Sequence, residues 1–260
     1  MKLSDLKEGS TGQEAVLIYG GPKMGKTTFA ATFPTPIFIA DFDGGVTSVI
    51  GHPKSDEIEF ETFFDPDPES PQPVYRWEDR VKSFWDTYRQ NGSWPFRTVV
   101  LDSATLFLKA LMNKAFQQTV ASKDAELKRV LGVAPARGHW NVQMAYFDQE
   151  VRRLLAMPCY KVLICHEDTS EPYRIRPMLT GKQKEGIYPL FSEIYHMESV
   201  GEEGQRVFVV RLRPSDTAFA GSRLDHKGLI GELYRWTDLT TGRPIWDAFQ
   251  RMLKIWGGEA

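Results

Sequence analysis

The sequence predicts an α/β fold: a mostly parallel central sheet with helices on both faces, extended at its end by an antiparallel hairpin. Three observations carry this. Short, wholly apolar runs alternate with amphipathic stretches at helical spacing, the signature of parallel strands buried on both faces. A glycine-rich loop motif sits between the first apolar run and the helical stretch after it. Late in the chain, two strand-like segments flank a Gly-Glu-Glu-Gly turn, as a hairpin requires.

Each element follows in order. Residues 15–19 (AVLIY) read as a buried strand, and residues 27–33 as the start of a helix. Residues 36–40 (PIFIA) form a second buried strand, and 58–63 alternate enough for a short edge strand. FDPDPESPQP, an acidic, proline-rich stretch, reads as an extended loop. In the helix over 75–90, Trp77, Val81, Phe84, Trp85 and Tyr88 share one side, and Asn91-Gly92 ends it. TVVLD, 98–102, is a third buried strand; 105–120 and 141–156 are helices separated by a polar loop over 121–138 with a helical turn. YKVLIC, 160–165, is a fourth buried strand. A polar loop over 167–186 follows, then hairpin strands over 191–199 and 206–213. Ile245, Ala248, Phe249, Met252, Leu253 and Trp256 fit one face of a final helix, which could cover the core or dock on a neighbouring subunit.

Composition excludes several classes. With 260 residues, 42% apolar and 25% charged, the chain suits one large domain. No apolar run approaches the ~20 residues of a membrane span, so no membrane partner is expected, and the polar start MKLSDLKEGS is unlike a secretory signal. Cys159 and Cys165 have no metal or redox spacing, which points to buried free thiols in a reducing cytoplasm. A net charge of −2 argues against a surface coated with positive charge for duplex DNA, so any polynucleotide contact must come from particular segments.

The chemistry begins at Gly20-Gly21-Pro22-Lys23-Met24-Gly25-Lys26-Thr27-Thr28, which fits G-x-x-x-x-G-K-[ST]. Its glycines let backbone N–H groups turn inward onto phosphate oxygens, and the following helix adds its positive end. Lys26 can reach the outer phosphates, and the Thr27 hydroxyl suits Mg²⁺, which prefers oxygen ligands. A phosphate loop also needs a metal-organising acid on a neighbouring strand. Asp102 ends an apolar strand at the carboxyl edge of the sheet, where ligands bind in open α/β folds; it could equally cap the helix after it. Water must further be oriented or deprotonated. Asp41 and Asp43, at the end of the second strand and followed by Gly44-Gly45, are candidates for that task or simply turn residues.

The order of these motifs resembles the RecA-like recombinase ATPases, and most closely the short single-domain phage members, the Sak-type single-strand annealing ATPases. The resemblance covers about residues 12–225 and implies one RecA-like ATPase domain with a C-terminal helical tail over 226–260. It implies ATP and Mg²⁺ as cofactors, with Thr27 and Asp102 on the metal. In such proteins the second acid of the pair primes water, which selects Asp43, here shorter than the family's usual Glu. The polar residue ending the next strand senses the γ-phosphate, which places His166. The segment after it corresponds to a mobile DNA loop and offers Arg174, Arg176, Lys182 and Lys184, with Tyr173 to stack on a base. Arg211 and Arg213, two apart and so on one strand face, correspond to cations presented to a neighbouring subunit's nucleotide. Arg223 keeps the arginine of the phage Ala-Lys-Asp-Arg motif, which reads Ala220-Gly221-Ser222-Arg223 here and lacks the lysine.

The resemblance thus implies a DNA-stimulated ATPase that works as a homo-oligomeric ring or filament on single-stranded DNA, in recombination or strand annealing. Its setting would be the cytoplasm of a phage-infected or lysogenic bacterial host, with a single-strand-binding protein as a further candidate partner. Three other readings stay open: a nucleotide-regulated partner-binding switch with little hydrolysis, a helicase or its loader, and a small-molecule phosphotransferase. The last usually carries an arginine-rich lid, and no such stretch precedes residue 160.

Overall fold

The computed structural model describes residues 13–64, 72–119, 137–171, 173–201 and 207–257. The acidic stretch 65–71, the loop over 121–136 and the hairpin turn 202–206 lie outside the described residues.

The elements in chain order are β1 (Ala15–Gly20), α1 (Lys26–Ala30), β2 (Ile37–Asp41), β3 (Ile58–Thr62), α2 (Pro73–Asn91), β4 (Thr98–Asp102), α3 (Ala104–Thr119), α4 (Arg137–Leu155), β5 (Tyr160–Asp168), β6 (Arg176–Pro177), α5 (Gln183–Gly186), β7 (Glu193–Val200), β8 (Val207–Arg211), β9 (Gly221–Ser222), β10 (Leu233–Arg235) and α6 (Ala248–Gly257). One sheet runs β10-β8-β7-β1-β5-β4-β2-β3. From β3 to β7 all pairings are parallel. β8 and β9 pair antiparallel to β7, and β10 antiparallel to β8.

The apolar strands fold this way because alternate side chains meet different covers. Leu17, Tyr19, Phe38, Val99, Leu101 and Leu163 face one layer, where Trp77, Val81 and Phe84 of α2, Phe107 and Leu111 of α3, and Phe147 and Leu154 of α4 are buried against them. Val16, Ile18, Ile37, Ile39, Val100 and Val162 face the other, which holds Phe29 of α1 and Phe249, Met252 and Trp256 of α6. α2 ends at Gly92, whose φ of 70° is left-handed. Cys159 and Cys165 are free and buried, and burial pushes the Cys159 thiol up to about 12.

Four expectations need correction. The helix at 27–33 is only five residues long, Lys26–Ala30. The 167–186 segment is not an open loop: β5 continues to Asp168, β6 pairs antiparallel with it, and α5 follows. Part of its polar composition is consumed internally, since Arg176 pairs with Glu171 and Glu185, and Lys184 pairs with Asp168. Arg213 lies beyond the end of β8, so it does not share that strand with Arg211. Finally, residues 226–257 are not simply helical. They add β10 to the sheet and a turn over 237–244 before α6 begins.

The final helix covers this chain's own core. Phe249 stacks on Phe33, ring centroids 3.6 Å apart, and the Trp256 indole N–H donates to Asp225 Oδ1 at 3.1 Å. Among the described residues no helix is long and apolar enough to cross a membrane.

Candidate functional site

β1 stops at Gly20, and the chain turns through Gly21–Gly25 into α1. Gly25 has φ +72°, a left-handed conformation that side chains rarely adopt, and a Cβ there would lie 2.6 Å from the Trp236 ring. Pro22, Lys23, Gly25, Lys26, Thr27 and Thr28 line a cavity of about 600 Å³; Met24 instead packs toward the α1 side of the core. The Lys26 ammonium donates to the carbonyls of Gly20 at 2.9 Å and Gly21 at 2.7 Å. Burial lowers its pKa, while Asp102 and Asp43 oppose that shift. Among the described residues the ammonium bonds only to these two neutral carbonyls, so an anionic phosphate would be a stronger partner than either.

Parallel register collects the acids at one sheet edge. Gly20 stands beside His166, and Asp41 beside Asp102. The Thr27 hydroxyl donates to Asp102 Oδ2 at 2.5 Å. Asp102 is buried, and burial raises its carboxyl to about 6; Asp43 and Asp41 add to the rise, whereas the Thr27 hydrogen bond lowers it. The peptide after Asp102 is cis. A hydroxyl and a carboxylate side by side are hard oxygen donors, so the pair fits Mg²⁺ bound through few protein ligands.

The two acids after β2 divide their roles. Asp41 Oδ1 accepts from the backbone N–H groups of Asp43 (3.2 Å), Gly44 (2.7 Å) and Gly45 (3.1 Å), so Asp41 holds the turn. Asp43 points into the cavity and its Oδ2 lies 2.9 Å from His166 Nε2. That hydrogen bond holds the Asp43 carboxyl below the usual range, with burial acting in the opposite direction. The His166 backbone N–H donates to Thr105 Oγ1 at 3.1 Å, and its carbonyl accepts from Met178 N at 2.8 Å, which fixes the histidine between α3 and the segment after β6. Lys26, Thr27, Asp43, Asp102 and His166 therefore line one cavity.

The remaining predicted residues stand apart from it. Arg211 holds Glu198 through Nε at 2.5 Å and Nη2 at 3.1 Å. Arg213 donates to the Asp225 carboxylate at 3.1 Å. Arg223 is exposed. In the 167–186 segment, Arg176 is buried between Glu171 and Glu185, Lys184 is held by Asp168, and Arg174 makes an exposed pair with Glu185 at 2.9 Å. Lys182 and Tyr173 are exposed, Tyr173 to 85%.

Sequence reasoning missed two groups. Phe208, Trp236, Thr237, Gly242 and Pro244 complete the cavity wall, contributed by β8 and the segment after β10. The signal available for them was the turn composition Asp238-Leu-Thr-Thr-Gly242. Glu167 and His196 form the other group. His196 Nε2 lies 3.1 Å from Glu167 Oε2 and Nδ1 lies 3.0 Å from Glu198 Oε1, continuing to Arg211. No spacing in the sequence marks that chain of contacts.

A mostly parallel α/β sheet, a glycine loop after its first strand, and a lysine, threonine and carboxylate converging over that loop define a P-loop nucleotide-binding domain. The chain belongs to the AAA domain family, whose model matches residues 13–224. No curated protein matches the chain. Among solved structures it is similar to the flagellar accessory protein FlaH from Methanocaldococcus jannaschii, at 10% identity over 77% of each chain, with a TM-score of 0.38. It is also similar to a KaiC-like protein from Pyrococcus horikoshii OT3, at 13% identity over 79% of this chain and 86% of that chain, with a TM-score of 0.37.

Proposed function

We propose that this chain binds Mg²⁺-ATP over the phosphate loop and hydrolyses its terminal phosphoanhydride bond, working as an oligomer on single-stranded DNA in phage recombination or strand annealing. The observation that carries the ATPase reading is the Thr27–Asp102 contact beside the Asp43–His166 pair, all within one cavity.

Lys26 and the loop N–H groups bind the outer phosphates. Thr27 and Asp102 would hold Mg²⁺, which when bound offsets charge on the phosphates. Asp43 orients the attacking water and accepts its proton, while His166 fixes the carboxylate. The water oxygen bonds to the γ-phosphorus, the bond to the bridging oxygen breaks, and ADP and phosphate leave.

The DNA and oligomer parts rest on the resemblance in motif order and on the exposed Tyr173, Lys182 and Arg223. Arg174 joins them, since an exposed ion pair such as Arg174–Glu185 contributes little and exchanges readily for a phosphate contact. Arg176, Lys184, Arg211 and Arg213 hold carboxylates within the chain and would have to give these up first. The setting would be the cytoplasm of a phage-infected or lysogenic bacterial host.

The second reading is a nucleotide-regulated switch with little turnover. It is favoured by Asp43, a side chain one carbon shorter than glutamate and already engaged by His166. A turnover assay with and without single-stranded DNA decides between them. A DNA-stimulated rate supports the recombination ATPase; ATP binding with negligible turnover in both conditions supports the switch.

A further inference from the structure

The cavity over the phosphate loop has two unlike ends. Asp102 and Asp43 come from β4 and the turn after β2, on one side of β1 in the sheet order. Phe208 and Trp236 come from β8 and the residue after β10, on the other side. The first end is lined by carboxylates and a histidine, the second by two aromatic rings, a proline, a glycine and a threonine.

The second end is built in advance. Asp238 Oδ1 accepts from the N–H groups of Thr240 (3.0 Å) and Thr241 (2.8 Å) and from the Thr241 hydroxyl (2.9 Å). Gly242 N donates to the Asp238 carbonyl, and Asp238 N to the Arg243 carbonyl, both at 2.9 Å. Thr237 bridges to Pro244, and its hydroxyl accepts from Phe208 N at 3.0 Å, tying the turn to β8. Trp236 packs against Phe29 and Phe208 and sits where any Gly25 side chain would fall. Its indole N–H is buried without a partner among the described residues. All five wall positions but Phe208 lie beyond residue 224, where the family match ends.

We infer that residues 236–244, with Phe208, form the nucleobase subsite of this pocket, closing a flat apolar ligand face against Phe208 and Pro244. The inference rests on the nucleoside triphosphate reading above and deepens it. With the phosphates on Lys26 and the terminal phosphate toward Asp43 and His166, the apolar lining outside the phosphate loop is, among the described residues, that contributed by β8 and the 236–244 turn. Base stacking on such faces tolerates any base, so the wall supplies affinity for a nucleoside rather than for bare phosphate.

The test compares ATP with inorganic tripolyphosphate, which carries the phosphates and no base. Both are titrated calorimetrically, with Mg²⁺, into the unaltered protein and into the Phe208→Ala, Pro244→Ala double variant, both side chains being only partly buried. The expected result is a loss of about tenfold or more in ATP affinity, with tripolyphosphate affinity unchanged. Equal losses for both ligands, or no loss for either, overturn the proposal. Should the double variant fail to fold, photolysis of bound 8-azido-ATP on the unaltered protein decides: label in 208 or 236–244 supports the subsite, and label elsewhere only overturns it. An unaltered protein that binds neither ATP nor tripolyphosphate would sink the nucleotide reading itself, which is a different outcome.

Discussion

The Thr27 hydroxyl and the Asp102 carboxylate, 75 residues apart in the chain, meet at 2.5 Å above the carboxyl edge of the sheet. The contact exists because α1 starts directly after the glycine loop and because β4 runs parallel in the same sheet as β1, with only β5 between them. Two oxygen donors that would suit one hard cation are thereby held together by backbone topology rather than by flexible side chains.

Asp102→Asn should therefore remove the dependence of nucleotide affinity on Mg²⁺ while leaving metal-free binding within about threefold. Calorimetric titrations with Mg²⁺ and with a chelator measure this. A Mg²⁺ response equal to that of the unaltered protein would place the metal elsewhere.

Asp43→Asn should bind ATP normally and lose roughly 10²–10⁴ in turnover, the usual contribution of a positioned base. His166→Ala should lose less, because Asp43 keeps its place at the turn held by Asp41. Steady-state kinetics on both variants provide the check, and an Asp43→Asn rate within twofold of normal would remove Asp43 from the chemistry.

The chain Glu167–His196–Glu198–Arg211 predicts a pH optimum of stability. Burial alone would lower the pKa of His196, but its hydrogen bonds to Glu167 and Glu198 outweigh that and raise it above 6.5. A raised histidine contributes stability fully below its unfolded value and loses it as pH rises through the folded value. Burial would raise Glu198, yet hydrogen bonds from His196 and Arg211 bring it down to about 2 from 4.5. Its contribution is complete above 4.5 and lost as pH falls toward 2. The pair is at full strength between these limits, so Tm should peak near pH 5–6.5. In His196→Gln the decline on the alkaline side should be visibly flatter by thermal denaturation.

The cations of the 167–186 segment should separate into two kinds. Arg176→Ala removes the packing of a largely buried side chain, while exposed Glu171 and Glu185 lose a partner at little cost, so Tm should fall by about 2 °C. Tyr173→Ala with Lys182→Ala touches exposed side chains, should leave Tm unchanged, and should weaken single-strand binding and its salt dependence. Fluorescence anisotropy with a labelled oligonucleotide at two salt concentrations reads the second effect.

Phe249→Ala should destabilise the protein by about 3–5 kcal/mol, because a fully buried ring stacked on Phe33 leaves a cavity when removed. Urea unfolding monitored by circular dichroism measures it. A change below about 1 kcal/mol would mean that α6 is not part of this chain's core.

Much of the fold was legible because its signals are local. Wholly apolar runs gave β1, β2, β4 and β5, and the Gly-Lys-Thr loop gave the strand–loop–helix that carries Lys26 and Thr27. Asp102 was readable as an acid closing an apolar strand. The choice of Asp43 over Asp41 drew on resemblance, and the hydrogen bonds give each a separate task. Other features were hidden because they depend on distant partners. That Arg176 is buried rather than solvated depends on Glu171 and Glu185 folding around it. That Trp236 belongs to the pocket depends on β10 pairing with β8, and a three-residue strand has too little periodicity to announce itself.

Mg²⁺-ATP binding to Lys26→Ala, with folding checked by its Tm, tests whether the phosphate loop holds the nucleotide. The Lys26 ammonium is the buried positive charge of the loop, held on the carbonyls of Gly20 and Gly21. The expected result is an affinity loss of about 100-fold or more and no measurable turnover. Binding by a folded Lys26→Ala protein as tight as that of the unaltered chain would contradict it.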